Sequence, residues 1–446
     1  MARLTLLAAV VAIVLGAGLA SSAAPRGRPV ACAPPSVPAP PAGRPTYALS
    51  ITVASSLRSA SGTVRVSFRP EVATDRLVFR LWPNGPAYAS AGARLDVGQV
   101  ALEGRPASIS RPDPTTLVVR THVAAGRRVT VAMPWTLVLP RVGGGRLYGG
   151  TVARLASFFP LLAWTGSAWA TDPPIHGALE TWTSPASDFD VAIHAPGGLR
   201  VLATGEEVAP GRWRARAVRD FAATIGRFAM TRQVVRLPGR VEIVVGRTPD
   251  VSAPASAILA NAAAALRAYS ERYGAYPWRT YTVAVTADAR GARGIEYPTL
   301  VLIIGRPANL VVAHETAHQW FYSLVGNDQA RDPWLDEGLT TWAESRHDGT
   351  LRAIERIRLP RDVRGRLGQP TSLWDTLGYR KAFFGLYVQG VQALASLGDP
   401  ERVDCALRSY VTANAYRTAV PRDLLTALRR FFPDARTKLV HYGARF

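Results

Sequence analysis

Cysteine and lysine are almost missing from this chain of 446 residues: two of each, Cys32 and Cys405, Lys381 and Lys438. One cysteine pair cannot build a disulfide framework, so the fold rests on hydrophobic cores, for which this length leaves room in two or three domains. The scarcity of lysine leaves arginine to carry a net charge of +21. The arginines are scattered, without an aromatic-basic stripe or a nucleic-acid motif, so nucleic acid is excluded as a partner. Enrichment in Arg, Ala, Pro and Gly together reads as a coding bias, while the charge leaves association with an anionic cell envelope open. Histidine is scarce too. Of the seven, only His314 and His318 form a pair at metal-ligand spacing.

At the amino terminus, residues 1–24 carry Arg3, an apolar run from Leu4 to about Leu19 and then small residues. This is the pattern of a secretory signal cleaved near Ser22 or Ala23, with an uncleaved anchor as the alternative. Residues 25–46 are rich in Pro, Ala and Arg and read as an extended tail. Cys32 follows Pro29-Val30-Ala31, a faint lipobox that Arg26, Arg28 and Pro29 argue against. An oxidising compartment permits a Cys32–Cys405 disulfide, and two free thiols are the alternative. The sequence therefore predicts a secreted or envelope-associated protein.

From 47 to 238 the chain is strand-like. Val64, Val66 and Phe68 alternate with polar residues, as do Leu77, Phe79 and Leu81, and Leu117 to Val123 and Arg128 to Met133 continue the pattern. Near Pro238 the period changes. Asp250 to Arg272 reads as a helix stopped by Gly274. Tyr281 to Ala287 and Thr299 to Ile304 read as strands flanking 289–298, and the rest of 239–446 is mostly helical.

The chemistry concentrates between Val311 and Glu344. His314, Glu315 and His318 form His-Glu-x-x-His. Residues four apart on a helix share a face, so both imidazoles can reach one metal ion while Glu315 reaches a water beside it. Apolar residues from Leu310 to Leu324 at helical spacing, with Pro307 in the first turn, predict the helix. A catalytic zinc takes three protein ligands. Glu337, in Trp334-Leu335-Asp336-Glu337-Gly338, supplies the third from a second helix started by Asp332-Pro333. Glu344, two turns on, is placed to accept a hydrogen bond from a ligand imidazole.

VVAHETAHQWF (311–321) and WLDEG (334–338) resemble the aminopeptidase N family of zinc metallopeptidases, within the gluzincins, although the family usually has Asn where Asp336 stands. The likeness runs from about Tyr47 to near the carboxyl terminus, through LVFRLWPN (77–84), ASFFPLLAW (156–164), SDFDVAIHAPGGLRVLATG (187–205) and VRDFA (218–222). It implies a β-sandwich or saddle-like all-β amino-terminal domain, then a thermolysin-like α+β catalytic domain that is mostly helical. It implies one zinc per chain, on His314, His318 and Glu337, and peptide substrates. Arg293-Gly294-Ile295-Glu296-Tyr297-Pro298 matches the family's exopeptidase motif, Gly-x-Met-Glu-Asn on an edge strand, through Glu296, which would hold a substrate's α-amine; Arg293 replaces the leading Gly. The family's Gln-x-Glu amine-binding stretch is not found. Phe384 to Gly390 resembles the Tyr-x-Lys-Gly segment, with Gln389 for Lys, so the oxyanion-donating tyrosine maps to Tyr387, with Tyr379 as the alternative. The expected activity is that of an aminopeptidase. A zinc endopeptidase, another small-substrate hydrolase on the same site, and a non-catalytic envelope-binding relative are the alternatives.

Overall fold

Every second residue of Thr46–Val53 is buried, and the paired strand Ser59–Phe68 buries Val64, Val66 and Phe68. This period of two is what a sheet with one covered face requires. The computed structural model describes residues 32–142, 145–176, 179–287, 292–305 and 309–446. The apolar segment 1–24, tail residues 25–31 and Pro307 lie outside the described residues.

Thr46–Val53 lies near the middle of a nine-stranded sheet, antiparallel to Ser59–Phe68 and parallel to Ser187–His194. Two four-stranded sheets accompany it. One is built on Val152–Leu155 and Ala223–Gly226, the other on Thr74–Arg80 and Thr116–Val123. Their shared core is aromatic: Tyr47 stacks on Phe189 at 4.3 Å, and Trp135, Phe158, Phe159 and Trp164 are fully buried around them. Each such side chain contributes about 2–3 kcal/mol of burial free energy.

A five-stranded sheet opens the second unit, in the order Ala229–Arg236, Arg240–Arg247, Thr280–Thr286, Leu300–Gly305, Ala292–Tyr297. The inner pairings are parallel and both outer ones antiparallel. Leu300–Gly305 is buried at every position, as a strand covered on both faces must be. Two sequence expectations change here. Ala229–Arg236 belongs to this sheet, so the boundary lies near residue 228 and not at 238; alternation does not say which sheet a strand joins. Residues 292–297, placed between two strands, are themselves the edge strand, and Glu296 faces inward.

Helix Ala255–Tyr273 precedes the third strand of that sheet. Beyond the sheet come the helices Asn309–Ala317, Trp334–Asp348, Tyr379–Ala382 continuing through Gln389–Ala395, Pro400–Asn414, Pro421–Arg429 and Ala435–His441. Asn309–Ala317 is shorter than its apolar spacing predicts. Past Ala317 the chain continues in tight and wide turns, with Ser323 N–H bonded to the His318 carbonyl and Leu324 N–H to that of Gln319. No helix among the described residues is long and apolar enough to cross a membrane.

The described part of the tail, from Cys32 on, is docked. Cys32 and Cys405 are disulfide-bonded with Cα atoms 5.3 Å apart, which decides between the two alternatives. Arg408 donates to the Ala33 carbonyl (3.0 Å) and Thr412 to that of Ser36 (2.9 Å), so the tail runs along helix Pro400–Asn414 before entering the first sheet.

Candidate metal centre

His314 sits near the end of helix Asn309–Ala317, and His318 follows one residue after it, still bonded from its N–H to the His314 carbonyl (3.4 Å). The helical offset therefore survives the helix end, and the two Nε2 atoms stand 3.2 Å apart. Helix Trp334–Asp348 brings Glu337 Oε2 to 3.4 Å from His314 Nε2 and 3.5 Å from His318 Nε2. Tetrahedral zinc at its usual ~2.0–2.1 Å from N and O ligands needs donor atoms roughly 3.3–3.4 Å apart. The triangle is that size. Glu337 Oε2 is buried without a hydrogen-bond partner, which a bound cation would supply.

Helix Trp334–Asp348 can present Glu337 there because Gly338 passes close to Gly390 on helix Gln389–Ala395. A Cβ at Gly390 would stand 2.7 Å from the Gly338 Cα. At its start Asp332 contributes a carbonyl and not the side-chain cap expected from its type.

The ring nitrogens facing away from the triangle are also held. Glu344 Oε2 accepts from His314 Nδ1 at 2.8 Å, as its spacing predicts. Asp336 Oδ1 lies 2.8 Å from His318 Nδ1, with Thr340 Oγ1 and the Phe321 carbonyl at 3.1 Å. Asp336 escaped the sequence reading, although its departure from Asn was visible. Carboxylates behind both imidazoles orient the rings toward the centre.

The electrostatics suit a cation. Burial opposes charge on His314, but Glu337 and Glu344 outweigh it and push its pKa up to about 10. Burial likewise opposes charge on His318, and Asp336 holds it well above its ordinary value. Burial would raise Glu337, yet the two imidazoles hold it well below the carboxylate range. Glu315 behaves differently. Burial pushes it up to about 8 against the pull of the imidazoles, and its Oε2 has no hydrogen-bond partner. A buried, unengaged carboxyl with a raised pKa beside a cation site is equipped to take a proton.

The edge strand lies against this group. A Cβ on Gly294 would fall 1.9 Å from Glu315 Oε1, so glycine is required there while Arg293 is tolerated. Glu296 is 5 % exposed, and its carboxylate, that of Glu315 and His318 all have donor atoms within 4.8 Å of one another. Gln319, another residue the sequence reading missed, clamps the turn after the strand: its Oε1 accepts from Thr299 N–H (2.8 Å) and its Nε2 donates to the Tyr297 carbonyl (3.0 Å).

Tyr387 lies in the π-helical turn Phe383–Val388, where Gly385 packs against Trp374. Its hydroxyl donates to Glu337 Oε1 at 2.5 Å and its ring stacks near His314 at 5.8 Å. Tyr379 is exposed, whereas Tyr387 is 9% exposed. Tyr387 is thus the tyrosine at the ligand set.

Comparison with known proteins places this geometry in context. The peptidase family M1 domain matches residues 305–363. Aminopeptidase RNPEPL1 of Homo sapiens is 28% identical over 207 residues, 39% of this chain and 28% of that protein. Aminopeptidase B of Homo sapiens is 26% identical over 201 residues, covering 38% and 30%. Leukotriene A-4 hydrolase of Xenopus laevis is 32% identical over 190 residues, covering 36% and 30%. The match with each of these spans less than a third of the relative's length. Among solved structures, the M1 zinc metallopeptidase from Deinococcus radiodurans superposes with a TM-score of 0.68 over 93% of this chain and 97% of that one. A mutant of it bound to a Tyr-Ser-Ala substrate does so with a TM-score of 0.68 over 93% and 98%. At 18–19% identity these two show a shared fold of two domains.

Proposed function

From the premise that the chain belongs to the M1 family of zinc metallopeptidases, we propose that it is an exported aminopeptidase, removing amino-terminal residues from peptides. The observation that carries this reading is the donor triangle of His314, His318 and Glu337, with sides of 3.2 to 3.5 Å and a buried Glu337 oxygen left unpartnered. The order of sheet, metal helix and second ligand helix supports a thermolysin-like description of the second unit. The Cys32–Cys405 disulfide and the apolar run at 4–19 support export to an oxidising compartment.

Zinc, when bound, supplies Lewis acidity at the scissile carbonyl and to the attacking water. His314, His318 and Glu337 hold it, and Glu344 and Asp336 keep the imidazoles aimed. Glu315 takes the proton of the attacking water and delivers it to the leaving amine, a transfer its raised affinity for a proton favours. Tyr387 donates to the oxygen that gains negative charge, where a preorganised donor contributes most. Glu296 pairs with the substrate's α-ammonium and so selects the first peptide bond.

Two measurements on the purified protein test this. Metal analysis should find zinc in the wild type and in Glu315→Gln but not in His318→Ala; a fully metallated His318→Ala protein overturns the ligand set. Free aminoacyl reporters should be cleaved much faster than N-acetylated ones, and equal turnover would refute the aminopeptidase reading.

A further inference from the structure

Between the two units lies a buried arginine without a counter-charge. Arg219, from the first unit, is 3% exposed. Its Nη1 donates to the Ser184 carbonyl (3.1 Å) and to Thr418 Oγ1 (3.5 Å), and its Nη2 to the carbonyls of Leu324 (3.4 Å) and Arg417. All of these acceptors are uncharged, and Nε has no hydrogen-bond partner. Arg146, also buried at this boundary, is treated differently: it is ion-paired with Glu180 and lies 3.7 Å from Glu296 Oε2. Arg219 has no carboxylate at such a distance among the described residues. Burial accordingly lowers its pKa to about 10, opposed by the hydroxyls of Tyr322 and Tyr410. A buried cation left unpaired is costly.

Arg219 lines a cavity of about 10 Å³, together with Trp182, Ser184 and, from the second unit, Tyr322, Gly326 and Asn327. This is room for one monatomic ion or one water, and too little for a polyatomic oxyanion. Trp182 Nε1 and Ser184 Oγ are also buried without hydrogen-bond partners, so three of the lining residues carry an unused donor. Asn327 adds an unused acceptor, Oδ1. A lone water would serve that acceptor and leave the charge of Arg219 unmet, whereas an anion meets the charge and takes the donors. The far wall is strained. Tyr322 has φ 135°, a backbone conformation that L residues rarely adopt and that persists only where the surroundings impose it. The same turn carries the Phe321 carbonyl, 3.1 Å from His318 Nδ1, and Gly326, where a Cβ would stand 2.3 Å from Arg219 Cζ.

We propose that this cavity binds one small monovalent anion of halide size, such as chloride, with Arg219 as its counter-charge and Trp182 and Ser184 as neutral donors. The anion brings the buried charge to zero and takes N–H and O–H groups that the fold otherwise leaves unused. These donors come from the first unit, and the wall the anion fills is the strained turn of the second. Binding therefore holds the two units together at this point. Because the turn carries Phe321 behind His318, the anion also fixes the backbone on which one candidate metal ligand rests.

The test uses halide salts on the zinc-loaded protein. Crystals grown without chloride and soaked in millimolar sodium bromide should show a bromine anomalous peak in the cavity, beside Arg219 Nε. In solution, with gluconate replacing chloride at constant ionic strength, Tm should rise by about 2 °C or more as chloride goes from about 1 mM to about 100 mM. Arg219→Gln should lose both the peak and the chloride dependence. Should Arg219→Gln not fold, Trp182→Phe and Ser184→Ala each remove one donor, and each should weaken the halide about fivefold, read from the chloride midpoint of the Tm rise. A water in the cavity without an anomalous peak, and a Tm that ignores chloride, overturn the anion site. A peak seen only at molar bromide with the same flat Tm marks an adventitious ion only, and overturns it too. Chloride dependence that persists unchanged in a folded Arg219→Gln protein places the anion elsewhere and overturns the assignment to this cavity.

Discussion

At the scale of single residues, each imidazole of the centre has a carboxylate behind it, Glu344 for His314 and Asp336 for His318. Tyr387 reaches the third candidate ligand. Its hydroxyl donates to Glu337, beside the candidate metal site where the proposed reaction would develop negative charge. Tyr387→Phe should therefore lower kcat about a hundredfold with KM little changed, as loss of one oxyanion donor does. Steady-state kinetics at matched zinc content measures this. If Tyr387→Phe stays near wild type while Tyr379→Phe collapses, the donor has been misassigned. Gly294 shows the complementary constraint, since it is the lack of a side chain that lets the edge strand lie against Glu315.

At the scale of elements, the tail is the piece whose behaviour changed most on folding. The described tail residues, 32–45, form a strap that meets helix Pro400–Asn414 and is closed by a disulfide spanning 373 residues of sequence. Cross-linking so long a loop removes unfolded-state entropy equivalent to about 6 kcal/mol in the chain-entropy account. Reduction should accordingly lower Tm by about 5 °C or more. Cys405→Ser should show the same lowered Tm and no further response to reductant. Thermal melts with and without reductant measure both, and an unshifted melt would mean that the strap's hydrogen bonds hold it without the disulfide. Zinc content should not change, because the disulfide lies on a different helix from the ligands.

At the scale of the whole molecule, the two units are joined through a buried polar chain. Ser157 donates to Asp220 Oδ2 (2.7 Å) and lies 3.1 Å from the Tyr297 hydroxyl, which in turn meets Arg146. Asp220 is fully buried, and burial pushes its carboxyl up to about 7 despite the Ser157 and Phe221 hydrogen bonds. The folded state thus holds this proton more tightly than the unfolded chain does. Stability from it is fully present below the unfolded value near 4 and is lost as pH rises toward 7, with a ceiling of about 4 kcal/mol. Asp220→Asn mimics the neutral form and should not follow that loss. The Tm of the Asn variant, relative to wild type, should rise by several degrees between pH 5 and pH 8. Parallel melting curves across that range would show that Asp220 does not titrate there.

The amino-acid sequence by itself determined the candidate ligand set, the candidate base and their order. His314, Glu315, His318, Glu337 and Glu344 act through helical periodicity, and periodicity is local. It also determined most strands of the first unit, where a face toward a core imposes alternation. Only the tertiary structure decided what depends on contacts between distant segments. It settled that Ala229–Arg236 joins the second sheet, that 292–297 is an edge strand with Glu296 buried, and that Cys32 meets Cys405. Asp336 behind His318, Gln319 clamping the strand turn, and Arg146 between Glu180 and Glu296 belong to the same class. The physical reason is that a side chain's charge and hydrogen bonds are satisfied across space, and no spacing along the chain encodes which partner folding will bring.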